Sequence, residues 1–203
     1  MAILTALLAT ALLMGLGLSV ALMGTSEATL AADDRAARAL REASLAAVHL
    51  AVADLRLTPS WSAVLAPGVA PWSAVPGRAM VADVTPAAPW DGSPLPLVSM
   101  TADVQAGADT ESGERQVWRL FESGPLEALV PGIAAGPWFL AVWVADDHAD
   151  GDSDPLLDAN GILSIRAEAW GPRGARVATM VSVMKTVVAG GPDRVRILTV
   201  RPG

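Results

Sequence analysis

Residues 1–57 read MAILTALLATALLMGLGLSVALMGTSEATLAADDRAARALREASLAAVHLAVADLRL, and no charged side chain occurs before Glu27. Residues 1–23 are apolar on every side of a helical wheel and long enough to cross a bilayer, which takes roughly 20 apolar residues. Beyond Ser26 the pattern changes without stopping. Leu30, Ala37, Leu40, Ser44, Val48, Val52 and Leu55 recur mostly every three or four residues, which draws one apolar stripe along a helix. Arg35, Arg38, Arg41, Glu42 and His49 fall mostly elsewhere on the wheel, and alanine, the best helix former, fills the gaps. Thr58-Pro59 stops the helix, because a proline disfavours helical geometry in the residue before it. The expectation is one helix over residues 1–57, membrane-embedded over about 1–24.

The remaining chain is made of different material. All 15 prolines and all 7 tryptophans lie beyond Leu57. Residues 59–96 are proline-rich, hold Trp61, Trp72 and Trp90, and read as a loop with little regular structure. Strand-like runs follow at 97–104, 116–122, 138–145, 162–170, 177–188 and 195–201. In 162–170, Ile162, Ser164, Arg166, Glu168 and Trp170 face one way and Leu163, Ile165, Ala167 and Ala169 the other. Gly171-Pro172-Arg173-Gly174 is a turn, so the strands on either side of it form an antiparallel hairpin. The fold class expected is α+β: a β-rich head over 58–203, its antiparallel sheet packed on the second half of the N-terminal helix.

Composition excludes several functions. With no cysteine there is no disulfide scaffold, thiol catalysis or thiolate metal site. The net charge is −7, the only lysine is Lys185, and no local Lys/Arg cluster exists to neutralise phosphates, so no nucleic-acid partner is expected. No H-E-x-x-H, Gly-rich phosphate loop or G-x-S-x-G occurs, and His49 and His148 stand apart, so no enzyme is expected. The tryptophans read as core residues, with an exposed stacking surface as the alternative.

One segment carries candidate metal ligands. Between Asp146 and Asp158 the chain places 6 carboxylates in 13 residues, with Asp150, Asp152 and Asp154 alternating and Asp158 four further on. Calcium takes six to eight oxygens, and a D-x-D-x-D run with a further carboxylate can curl around it. EF-hand spacing is not met, because Pro155 intrudes and no Glu stands at the twelfth place. Two expectations stay open: a calcium loop, or a solvated turn between strands.

An apolar N-terminus also suggests a cleaved secretory signal. That template needs a basic start and an apolar core of 7–15 residues, and neither is present. An uncleaved anchor raises a question of orientation. Arg35, Arg38, Arg41 and Arg56 follow the span and would hold the head in the cytoplasm by the positive-inside rule, whereas the Trp/Pro-rich head has the character of an exported domain. A short basic leader preceding Met1 and later removed would reconcile the two.

The run from Met1 to Arg56 resembles the N-terminus of minor pilins of the PilX type, type IV pilus assembly proteins, and of type II secretion pseudopilins. Apolar residues begin at the first position; a small-polar step follows over Gly24-Thr25-Ser26-Glu27-Ala28-Thr29; an Ala/Arg/Asp helix ends at Asp54-Leu55-Arg56. Asp158-Ala159-Asn160-Gly161, a strand, Gly171-Pro172-Arg173-Gly174-Ala175-Arg176 and a second strand are similar to the closing hairpin of such proteins.

The resemblance implies a structural subunit held in the inner membrane with its head outside the cytoplasm. On assembly it would move to the pilus or cell surface, its helix packing among other pilin or pseudopilin helices. Gly15 and Gly17, each costing about 1 kcal/mol in a helix, would mark where the helix loosens on leaving lipid or where neighbours approach closely. Two features depart from the pattern. Taking Met1 as the mature start, the fifth position is Thr5 where major pilins carry glutamate, which would suit a tip or initiating role, and the cysteine-bridged loop is missing. The alternative is a single-pass, membrane-anchored extracytoplasmic binding domain unrelated to pili.

Overall fold

The computed structural model describes residues 2–66, 85–112, 116–130, 132–133, 136–147, 151, 154–188 and 193–203. The chain divides into two compact units, Met1–Ala39 and Leu40–Gly203.

Helix α1 runs from Ala2 to Leu57 without interruption, 56 residues or about 84 Å at 1.5 Å per residue. In the first unit its residues 2–35 are all exposed. Thr5, Thr10, Ser19, Thr25 and Thr29 return their hydroxyls to carbonyls three or four residues back, which hides polar groups in an apolar stretch.

The second unit contains the end of α1, then α2 (Ser62–Leu65), α3 (Leu97–Ser112), β1 (Arg119–Pro125), α4 (Leu126–Leu129), β2 (Phe139–Asp146), β3 (Ile162–Trp170), β4 (Arg176–Thr186) and β5 (Arg194–Pro202). The strands form one antiparallel sheet in sequential order β1-β2-β3-β4-β5. This meander needs only local connections, so each strand pairs with the one before it.

The central strands β2 and β3 are covered on both faces. From α1, Leu40, Ala43, Ser44, Ala47, Val48, Ala51 and Leu55 are buried, stepping by three and four, against Leu140, Val142, Val144, Leu163, Ile165, Ala167, Ala169, Val181 and Val183. The alanines let backbone approach backbone, and Ser44 reaches the carbonyl oxygen of Ala167 at 3.0 Å. On the opposite face Leu97 and Val104 of α3, flanked by Met100 and Ala108, pack on Phe139, Ala141, Trp143 and Trp170. Trp143 and Trp170 meet edge to face at 5.9 Å, and the Trp143 indole N–H donates to Thr101 Oγ1 at 2.8 Å. Layered on both sides, β2 is buried at every residue.

The C-terminus of α1 is held from across the sheet. Lys185 Nζ donates to the carbonyl oxygens of Thr58 (3.0 Å) and Pro59 (2.7 Å), pairs with Asp193 at 3.2 Å, and stands over the Trp61 ring. A cation is favourable where helix carbonyls are left without partners.

The expected helix and the hairpin between β3 and β4 are present, and so is the division of side chains along β3. The expected strand over 97–104 is corrected: those residues open α3. Leu97, Met100, Val104 and Ala108 lie on one helical face, and burying that face over the tryptophans outweighs the β-branched residues between them. In the expected loop over 59–96, Ser62–Leu65 forms one helical turn and Ala87 bridges Pro94, while 67–84, including Trp72, lie outside the described residues. Of the other tryptophans, Trp61, Trp118, Trp143 and Trp170 are buried, and Trp90 and Trp138 are half-buried.

Candidate functional site

The largest unsatisfied surface is the apolar part of α1. Twelve large apolar side chains between Ile3 and Met23 stand 56–79% exposed. At about 1.5–3 kcal/mol for each such side chain moved from water, their burial is worth on the order of 20–30 kcal/mol. Burying this surface in lipid or against other apolar surface would therefore be strongly favourable. Its length and composition suit a single membrane span. Gly15 and Gly17 have open space where a Cβ would stand.

The aspartate segment is built as turns. Asp154 Oδ1 accepts from the Leu156 N–H at 3.1 Å, and Asp158 Oδ1 from the Gly161 N–H at 2.7 Å. Asn160 caps Ile162 N–H and donates to Asp147 Oδ1 at 2.7 Å. Asp158 is tied to α2, its N–H donating to Ser62 Oγ at 3.1 Å. Gly161 enters β3 at φ +77°, where the Lys185 carbonyl oxygen would lie 3.1 Å from a Cβ. Asp154 and Asp158 therefore shape the turns over 154–161 that lead into β3. Asp150 and Asp152, like His148, lie outside the described residues. Among the described residues no three acidic or histidine side chains gather to hold a metal ion. His49 is exposed on α1.

The sheet also assembles a surface that is scattered in the sequence. Arg166 of β3, Arg176 of β4, and Arg194, Arg196 and Arg201 of β5 share the face bearing Met180 and Met184, because Arg166 pairs with Met180, Met180 with Arg201, Met184 with Arg196 and Thr186 with Arg194. A register shift at Ser182/Val183 puts Arg196 and Arg201 on one face although an odd number of positions separates them. Glu168, fully buried, accepts from Arg166 Nε (2.7 Å) and from Arg176 Nε (2.7 Å) and Nη2 (2.8 Å). Its hydrogen bonds, with desolvation opposing, hold the Arg176 guanidinium above its ordinary pKa. Arg194, Arg196 and Arg201 are exposed. Sequence reading found no basic cluster because these side chains are far apart in the chain; the usable signal was the alternation Arg194-Val195-Arg196 in a strand-like run.

No protein-family model, curated protein or solved structure matches this chain.

Proposed function

We propose that this protein is a non-enzymatic, membrane-anchored fibre subunit of the minor pilin or pseudopilin kind. Its helix is held in the inner membrane with the head outside the cytoplasm, then packed among like helices as a type IV pilus or secretion pseudopilus assembles or is primed. The observation that carries this reading is α1 itself: one uninterrupted helix whose residues 2–35 bury nothing and whose residues 40–55 are built into the core of a sheet. A simple membrane anchor needs only a span and a linker. A helix extending from the span into the core of the head fits a subunit that carries its apolar rod out of lipid, because apolar surface is equally satisfied by acyl chains and by neighbouring helices. The pilin-like order of features in the sequence supports the same conclusion. Calcium forms no part of the proposal.

The test is a photo-crosslinking residue in place of Leu12, introduced in the native host. The proposal expects adducts with apolar-helix subunits in the sheared surface-fibre or pseudopilus fraction. Adducts confined to lipid, with no chain in that fraction, would instead establish the alternative of an anchored binding domain.

A further inference from the structure

We propose that the free edge of β5 binds an extended acidic strand from another protein, one that alternates carboxylate and apolar side chains. β5 is the edge strand of the sheet, and among the described residues no strand pairs with its outer side. Arg194, Arg196 and Arg201 rise from one face of this edge, and among the described residues no ion pair or hydrogen bond engages their guanidinium groups. Behind them Arg166 and Arg176 share the carboxylate of Glu168, and Asp103 also acts on Arg176, so the region keeps an excess of arginine charge in a chain whose net charge is −7. Along the same edge Leu198 and Val200 are 47% and 59% exposed, and Val200 pairs with the buried core residue Val181 on the opposite face. An incoming strand would therefore meet cations on one side and, at Val200, apolar surface on the other. Side chains alternate sides along a strand, so the matching sequence alternates Glu or Asp with Val, Ile or Leu.

Charge selects the occupant. A second copy pairing β5 to β5 would set arginines against arginines, and directly opposed like charges are destabilising. A nucleic acid would satisfy the guanidinium groups but not the backbone edge or Val200. An acidic strand satisfies all three. It comes from a protein other than this chain, and the inference does not depend on the function proposed above.

The probe is a fluorescein-labelled peptide, Thr-Glu-Val-Glu-Val-Glu-Val-Thr, titrated by anisotropy with the full chain in detergent micelles. We expect saturable binding in the micromolar range. It should weaken about tenfold or more in an Arg196→Glu/Arg201→Glu variant and by a smaller factor in Arg196→Gln/Arg201→Gln. Both positions are exposed, and circular dichroism confirms that the variants fold. The peptide N-methylated at alternate residues should not bind, because it cannot complete the edge ladder. Four results would overturn the proposal: no binding of the acidic peptide; equal binding of the N-methylated form, which would reduce the surface to a polyanion patch; tighter binding of a 20-base-pair DNA duplex; or a β5-mediated homodimer in sedimentation that excludes the peptide.

Discussion

The Ser44 hydroxyl of α1 and the Thr179 hydroxyl of β4 lie 2.8 Å apart in the buried layer between helix and sheet, and Ser44 also bonds the Ala167 carbonyl oxygen. This buried polar contact ties the rotation of the helix to the sheet. Replacing Ser44 by alanine strands Thr179 without its partner and should cost about 1–3 kcal/mol. Chemical denaturation of the detergent-solubilised chain measures this; an unchanged midpoint would show that packing alone sets the seam.

Glu168 is fully buried between two guanidinium groups. Glu168→Gln should destabilise by about 3–5 kcal/mol, the cost of breaking a buried ion pair from one side. The value falls at the lower end because the Arg176 side chain is 46% exposed and water relieves part of its charge. Thermal unfolding should show a clear loss, and Arg176→Gln a smaller one.

Trp143 places its indole N–H on Thr101 Oγ1 at 2.8 Å, joining β2 to α3. Thr101→Val keeps the shape and removes the acceptor, which should cost about 1–3 kcal/mol. A red-edge change in tryptophan fluorescence with that loss of stability would confirm the contact; no change in either would contradict it.

Asp91 accepts both the hydroxyl and the N–H of Ser93, and these bonds hold its carboxyl below the ordinary aspartate pKa. The sign follows from linkage: with the folded value depressed, the stabilisation is complete above the unfolded value and is lost as pH falls through the folded one. Ser93→Ala should move the Asp91 titration upward, as read by carboxyl NMR. An unmoved titration would contradict the role of Ser93.

Gly171 has ordinary extended geometry (φ −140°), yet a Cβ there would run into the Trp138 ring. Gly171→Ala should cost about 1–3 kcal/mol through overpacking, with no contribution from backbone strain.

How far the sequence carries depends on whether the determining contacts are local. The three-and-four spacing and the alternation in 162–170 encode packing faces directly: the stripe is buried at Leu40, Ser44, Val48 and Leu55, half-buried at Ala37 and Val52, and exposed at Leu30, ahead of the sheet-packed part of the helix. Residues 97–104 mislead because Val98, Thr101 and Val104 suit a strand, while the stripe Leu97, Met100, Val104, Ala108 shows itself only over a longer window and is settled by the tryptophans it covers. The arginine face was not legible. It depends on cross-strand register and on the shift at Ser182/Val183, neither of which has a signature in the residues concerned. Asp154 and Asp158 stand out as candidate metal ligands in sequence, and the structure shows one oxygen of each accepting a backbone N–H, from Leu156 and Gly161.

The proposed function requires that the first part of α1 reside in lipid while position 38 and the head that follows face water. The chain contains no cysteine, so a spin label can be placed singly through Leu12→Cys or Arg38→Cys in proteoliposomes. Accessibility of each label to oxygen, which concentrates in acyl chains, and to a water-soluble nickel chelate tests the claim most directly. The account predicts a label at position 12 that is open to oxygen and closed to nickel, and the reverse at position 38. Nickel access at position 12 equal to that at position 38 would contradict it.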